Sequence, residues 1–516
     1  MKLTNKIFTF IAAALAGFSS VSCDDFLNHE PSKSTDQLIE TVDQLDALLG
    51  TYSIFVQEHN QTALACDDFG MFTKIGDSWS MLTTSDLDHI LWADATNESA
   101  RSLWNNEYAK IYYANLVLHY VDEVDGSPEL KRALTAEAHF LRAYSMFQLA
   151  LAYTLYYDGS NGSEPGLSLK SKIAFDEDVT RANLETTWAF IDADIQEALK
   201  SEVPLVTDGT RRVWRGTRTA IYAFAARYYL YRGNMESALK YAQAALDDYN
   251  TIKDFNTMDY YWYQDQLTIN WATPNPETVY IKYPEIYDTL QSSASYRAFF
   301  EWDEMLFARS CYYAGDWFIP SQDLLDCYAE DAPQGDPMND LRYKYFMCQN
   351  WSAAWCNSNK DTLLYPGYMQ YDYDIISGPT VAEMLLIKAE AQAREGDWQD
   401  AMATVETLRK NRIEASEYTA YAASSQAEAV KFILRERRRE MPFVIRWYDQ
   451  KRLNANDDPS DDITATRYFY SYTSASILKN DPPKTYTLEP GSRHYAMPIP
   501  TSELELSKGV IQQNQY

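Results

Sequence analysis

Residues Arg212–Leu246 read RVWRGTRTAIYAFAARYYLYRGNMESALKYAQAAL, and Pro379–Ile413 read PTVAEMLLIKAEAQAREGDWQDAMATVETLRKNRI. In the first stretch Ala226, Tyr229 and Leu230 precede Gly233, and Ala238, Tyr241, Ala242 and Ala245 follow it. That spacing lays one apolar stripe along each of two helices. In the second, Ala389 and Ala393 precede Gly396, and Ala401 and Leu408 follow. Alanines at the crossing let two helices approach closely, and Gly233 or Gly396 supplies a helix-ending residue that tolerates positive φ. Each stretch therefore predicts a tetratricopeptide-like helical hairpin. Neither can bury its face alone, so the body is expected to be a helical stack.

Working outward, Asn97–Asp122, Leu130–Tyr157 and Leu184–Leu199 also carry helical periodicity, whereas Ser53–Ala93 reads as irregular, with Trp79 and Trp92 in exposed-looking positions. From Asp248 to Ser377 glycine, proline, asparagine and aspartate punctuate short aromatic clusters with no helical period. Such a block between two halves of a scaffold is where binding loops are expected. The scaffold resumes through Gln426–Asn454, which is dense in arginine, and ends in an extended tail, HYAMPIPTSELELSKGVIQQNQY. The expected fold class is all-α: a tetratricopeptide-like hairpin scaffold with a large, irregular, aromatic-rich insertion.

The 516 residues include 40 tyrosines and 13 tryptophans, more flat amphipathic side chains than a helical core needs, which points to surfaces that stack on a ligand. A formal charge of −29 opposes binding to nucleic acid and to anionic membranes. At the start, Lys2 and Lys6 precede the mainly apolar Ile7–Val21, and small residues lead to Ser22–Cys23. This is the layout of a signal peptide ending in a lipid-modified cysteine. Removing residues 1–22 takes away two lysines and no acids, so the mature charge is −29 − 2 = −31. The expected organisation is a signal peptide over 1–22, a lipidated tether over 23–36 and a single body over 37–516. That body divides into a helical part (37–247), an irregular ligand-loop region (248–377) and a C-terminal helical part with its tail (378–516).

Five cysteines remain beyond Cys23: Cys66, Cys311, Cys327, Cys348 and Cys356. An odd number leaves at least one thiol unpaired, and Cys348 and Cys356 are close enough in sequence to bridge a loop. The six histidines include no i, i+4 pair and no HExxH, and GxSxG and phosphate-cradling glycine loops are absent from the sequence. No catalytic residue, cofactor or metal ligand is therefore assigned. Asp86 and Asp88 offer carboxylates to a calcium ion, but no EF-hand-like loop supports them.

Several segments together resemble the SusD/RagB family of surface lipoproteins from Bacteroidetes. They are the CDDFL that follows the signal, TAEAHFLRAYSMFQLA (Thr135–Ala150), the two hairpins, LRERRREMPFVIRWYDQKR (Leu434–Arg452) and the closing MPIPTSELELSKGVIQQN, spread over essentially the whole chain. The family usually has glycine where this chain has Ile445, and a hydrophobe where it has Gln450. The resemblance implies a protein acylated at Cys23, with Asp24 and Asp25 as a surface-export signal. It also implies a position on the outer face of the outer membrane, capping a SusC-type TonB-dependent transporter. Such a cap binds an oligosaccharide or, in the RagB branch, a peptide.

A sugar ring presents an apolar face and peripheral hydroxyls, so its binder needs flat side chains beside amides, carboxylates or guanidinium groups. Trp79 beside Asp77, Tyr296 beside Arg297, Trp302 beside Asp303, and Trp351 beside Asn350 each meet that need. These eight residues are the candidate ligand site. Trp104, Trp188 and Trp398 lie on helical patterns and read as scaffold, and the charges of 435–452 read as a buried or half-buried ion network tying the last helices together, with an anion-binding site as the alternative. The leading expectation is a non-catalytic binder for oligosaccharide import. A peptide binder of the RagB type is the alternative within the family, and an all-α glycoside hydrolase the alternative outside it.

Overall fold

The computed structural model describes residues 39–59, 61–78, 82–96, 102–174, 177–258, 260–269, 274–286, 300, 302–312, 318–351, 364–368, 370 and 374–516. Its longer helices are α1 (Val42–Leu49), α2 (Leu103–Tyr120), α3 (Pro128–Tyr153), α4 (Leu184–Ala198), α5 (Arg218–Tyr231) and α6 (Met235–Asp248). After the insertion begins come α7 (Gln322–Glu330), α8 (Val381–Glu395), α9 (Trp398–Arg409), α10 (Gln426–Glu440) and α11 (Arg446–Leu453). Local chemistry sets many of their starts. Ser102, Ser127, Asn183, Thr217 and Thr380 each accept a backbone N–H of the first turn and relieve one of its orphan donors.

Both helical hairpins form. Gly233 has φ +72° and Gly396 φ +107°, the left-handed geometry that ends the leading helix of each pair. Ala238, Ala242 and Ala245 are buried on α6, as are Ala389 and Ala393 on α8. The two hairpins pack on each other directly through α6 and α8, although more than 130 residues separate them in the chain. The insertion is thus an excursion that leaves the stack at α6 and returns to it at α8. On the other side of α5, α3 packs between α2 and α4, and a dense aromatic group of Phe140, Tyr144, Phe147, Trp188 and Phe224 fills the space.

Two stretches expected to be irregular contain regular structure. Between Ser53 and Ala93 short helices form at Gln61–Ala65, Thr73–Ser78 and Thr84–Ile90. Within the insertion, strands β1 (Tyr260–Ile269) and β2 (Glu277–Ile286) make a ten-residue antiparallel hairpin in which Tyr260 faces Ile286 and Ile269 faces Glu277. Strand Ser310–Tyr312 pairs in parallel with Gln57–Glu58 and antiparallel with Asp374–Ile376, pinning the insertion to the start of the body. Further pairs are β3 (Met347–Cys348) with β4 (Gly367–Tyr368), and β5 (Ala465–Phe469) with β6 (Lys484–Leu488). The tail includes a short helix, Thr501–Leu506, before the chain folds back on α3, where Asn514 Nδ2 donates to the Tyr153 carbonyl (3.0 Å).

The arginines of α10 and α11 are held in a buried ion network. Glu436 receives Arg439 at 2.7 Å, Arg342 at 2.9 Å and Arg409 at 3.1 Å. Burial pushes this carboxyl up, but three guanidinium groups outweigh burial and hold it well below the usual carboxylate range. Arg437 pairs with Asp449, while Arg438 and Arg446 reach Asp68 and Asp67 beside the first short helices. Ions buried in this way persist because each finds several partners, and removing one partner leaves a charge without compensation. Ile445 is buried, and Gln450 uses its side-chain oxygen to accept the Asp67 N–H at 3.1 Å.

Cys66, Cys327 and Cys348 are buried, and Cys356, the partner considered for Cys348, lies outside the described residues. Among the described residues no helix is long and apolar enough to cross a membrane.

Candidate functional site

Four elements meet on one face of the molecule: the loop Asp67–Phe72, the start of α7, the residues leading into β4, and β5. Between them lies a cleft of about 360 Å³ lined by Asp67, Phe72, Gln322, Asp323, Tyr365 and Thr466, among others. Phe72 and Tyr365 meet edge to face with ring centroids 5.3 Å apart, and the Tyr365 hydroxyl donates to the Pro320 carbonyl at 2.6 Å. Burial pushes the Tyr365 phenol up, and the nearby Asp326 and Asp323 add to the effect, so it stays a neutral donor. Asp67 lies at the floor. Burial raises its carboxyl, yet Arg446 and Arg438 prevail and hold it at about 2, a fixed negative charge already paired within the protein.

β5 explains how further tyrosines reach this face. Alternate residues of a strand point to opposite sides, and along Ala465–Phe469 burial alternates strictly, placing Ala465, Arg467 and Phe469 inside and Thr466 and Tyr468 outside. Tyr468 is 52% exposed, and a backbone bridge sets it beside Phe72. Two residues on, the Tyr470 hydroxyl donates to Asp77 Oδ2 at 3.2 Å, and Lys479 Nζ lies 3.9 Å from Asp77 Oδ1.

The insertion contributes Asn350 and Trp351, next to β3. Asn350 adopts φ +57°, and its side-chain amide donates to the carbonyl of Tyr280 on β2, whose ring is 42% exposed. Trp351, half-buried, lies against Gly367, where a Cβ would sit 2.5 Å from its Cδ1. Only glycine permits that approach, and Gly367 is two residues from Tyr365. Trp351 thus packs beside the strand that follows Tyr365, and Tyr468, bridged to Phe72, lies two residues before Tyr470, the partner of Asp77.

Of the expected ligand residues, Asp77 lies beside Tyr470 and Lys479, and Asn350 and Trp351 lie beside Tyr280 and Gly367. Trp302 is not an exposed platform. It is 3% exposed, packs against Phe255 with centroids 5.8 Å apart, and has the Lys253 ammonium 5.1 Å above its ring. The cause is tertiary: its carbonyl accepts Arg211 Nη2 at 2.7 Å, which draws this segment onto the first helical hairpin. Asp303 goes with it, its backbone carbonyl taken by the Tyr249 hydroxyl and its carboxylate half-exposed near Lys253. Trp92 is likewise inside, with its indole N–H donating to the Ala65 carbonyl at 2.9 Å. Cys23, Trp79, Tyr296 and Arg297 lie outside the described residues. Trp104 and Trp188 are core residues, and Trp398 packs against the core.

Sequence reading missed Phe72, Tyr280, Tyr365 and Tyr468. For Tyr468 and Tyr470 the signal was present: TRYFYSY repeats an aromatic at every second position, the period of a strand with one face outward. Asp86 caps a helix through Thr83, and Asp88 accepts the Tyr472 hydroxyl at 3.0 Å. Among the described residues no cluster of three histidine, cysteine or acidic side chains is placed to hold a metal.

An all-α scaffold built on tetratricopeptide-like hairpins and carrying a loop face rich in aromatics defines the class of this protein. The chain belongs to the SusD family. Residues 328–516 match the SusD family model, and residues 25–230 match a SusD-like model described as starch-binding and associating with the outer membrane. A SusD-like protein, P38, of Formosa agariphila is 24% identical over 509 residues, covering 88% of this chain and 92% of that one. Among solved structures, a SusD superfamily protein of Bacteroides thetaiotaomicron aligns with a TM-score of 0.61 at 15% identity, covering 92% of this chain and 100% of that one. The surface glycan-binding protein A of Bacteroides uniformis aligns at 0.60 and 16% identity, covering 92% and 99%. At such identities the likeness concerns the fold.

Proposed function

We propose that this chain is a non-catalytic, cell-surface glycan-binding lipoprotein, acylated at Cys23. In this reading it captures oligosaccharides on the outer face of the outer membrane and delivers them to a SusC-type TonB-dependent transporter. The observation that carries the reading is the cleft lined by Phe72, Tyr365, Gln322 and Asp323, with the exposed Tyr468 set beside Phe72. Tyrosine rings cover the C–H face of a sugar, while carboxylate and amide groups meet its hydroxyls. Asp77, Asn350 and Trp351, with Trp79, Tyr296 and Arg297, are proposed to complete the ligand face. Family membership and the name of the Bacteroides uniformis neighbour support the glycan class. An open cleft of this kind gives modest affinity, on the order of micromolar to millimolar.

Calorimetric titration of the mature chain against plant, host and microbial glycans tests the proposal. Saturable binding without product formation, weakened by Tyr365→Ala or Tyr468→Ala, is the expected result. Heat from peptides alone would assign the chain to peptide import, and sugar hydrolysis would make it an enzyme.

A further inference from the structure

A second cavity, of about 350 Å³, lies between the first half of α2, the loop after strand Pro165–Ser168 and the C-terminal segment around Glu503 and Ile511. It shares no lining residue with the cleft described above. Its volume falls within the roughly 300–1,000 Å³ that small-molecule pockets occupy.

The walls are built. The Tyr108 hydroxyl donates to the Ser168 carbonyl at 2.9 Å. Asn115 is 2% exposed, donates through Nδ2 to the carbonyls of Lys170 and Lys172 at 3.2 and 3.3 Å, and accepts Arg142 Nη1 at 2.8 Å. Lys170 Nζ donates to the Glu177 and Asp178 carbonyls, which closes the loop on itself. Glu503 is half-buried at the opposite edge, where the side chains of Asn105 and Trp104 hydrogen-bond its carboxyl. Tyr112 stands at the rim with 37% of its surface open, above a lining that includes Ile173, Val179 and Ile511.

The chemistry selects among ligands. Two lysines and two glutamates line the cavity, so its formal charge cancels and neither an anion nor a cation is favoured. A purely apolar guest would strip water from Glu503 and Asn105 without replacing its hydrogen bonds, at a cost for each group. A neutral polyhydroxy ring satisfies both demands, with a C–H face for Tyr112 and hydroxyls for Glu503, Asn105 and the exposed Lys172.

We propose that this cavity is a second saccharide-binding pocket, separate from the cleft, in which Tyr112 covers one face of a neutral pyranose and Glu503 accepts its hydroxyls. With the cleft, it gives the protein two contacts for one polysaccharide or for two chains of it. Two linked contacts raise overall affinity without any new interaction, provided the spacing can be spanned.

The test titrates the mature chain, and its Tyr112→Ala, Glu503→Gln and Tyr365→Ala variants, with maltotriose, cellotriose, xylotriose and mannotriose. Each is followed by calorimetry and by saturation-transfer NMR. The pocket predicts two classes of site in the parent, with Tyr112→Ala and Glu503→Gln weakening one of them at least tenfold and leaving the other intact. Loss of the Tyr112 and Glu503 class alongside an unaffected Tyr365→Ala variant would support the pocket and remove the cleft. A single site that depends on Tyr365 and ignores Tyr112 and Glu503 would overturn the pocket and leave the cleft standing. No binding of any of the four sugars would overturn both. Tyr112 is exposed and Glu503→Gln keeps the shape of the side chain, so neither change threatens folding.

Discussion

Arg452 and Glu390 face each other as a two-pronged pair, Nη1 to Oε1 at 2.6 Å and Nη2 to Oε2 at 2.8 Å, with Glu390 fully buried on α8 and Arg452 on α11. Asp449 holds the same guanidinium at Nε (2.7 Å), and Arg394 supports Glu390 from one turn further along α8. The pair ties the second helical hairpin to the arginine-rich end of the scaffold. Glu390→Gln leaves Arg452 with part of its charge uncompensated in a dry interior, and should lower unfolding stability by about 3–5 kcal/mol. Urea denaturation at pH 7 measures it, and a loss below about 1 kcal/mol would contradict the role given to this pair.

The same carboxylate makes stability depend on acid. Burial raises the Glu390 carboxyl, but Arg452 and Arg394 bring it down to about 2. A carboxyl whose folded value lies below its unfolded one contributes stability that is complete above about pH 4.5 and is lost as pH falls through 2. The parent should therefore weaken steeply between pH 4.5 and 2, and Glu390→Gln should show a shallower slope there. Parallel curves for the two proteins would sink the assignment.

Lys451 works at the alkaline end. It is buried, donates to the Leu151 and Thr154 carbonyls at 2.7 and 2.6 Å, and burial brings its ammonium down to about 7. The unfolded chain then binds more protons than the folded one between about pH 7 and 10.5, so stability from this group rises with pH across that window. Lys451→Met should remove the rise. The measurement is the difference in denaturation free energy between parent and variant at pH 7 and pH 9.5, which should shrink or reverse sign only if Lys451 titrates in this range.

Gly367→Ala probes the candidate cleft without touching its polar groups. The new Cβ would sit 2.5 Å from Trp351 Cδ1, so the indole must move. Glycan affinity should fall about tenfold, near 1.4 kcal/mol. Unchanged affinity would remove Trp351 and its neighbours from the ligand face.

Tyr468→Ala separates binding from folding. With half of its surface open, the ring contributes little to the core, and the unfolding free energy should shift by no more than a surface change does, about 0.5 kcal/mol. A binding loss of about 1–2 kcal/mol is expected if the ring stacks on sugar. Equal affinity for parent and variant would confine the site to Tyr365 and Phe72.

The reading of Arg212–Leu246 and Pro379–Ile413 determined the scaffold because every signal there is local. Alanine spacing, capping residues and the left-handed glycines at 233 and 396 act within a few residues of one another. The charge pattern of 435–452 was legible for a related reason: so many paired signs so close together can be buried only as a network. Tertiary structure alone decided the rest. Trp302 and Trp92 sit in segments rich in turn formers, yet distant partners, Arg211 for one and the Ala65 carbonyl for the other, draw them inside. The ten-residue hairpin of β1 and β2 went unread because strand pairing depends on a partner segment more than on any single run of residues. The cleft joins residues near 70, 322, 365 and 466, and no local pattern relates them. Helix periodicity is written in neighbouring residues, whereas exposure of an aromatic ring is set by whatever the rest of the chain places against it.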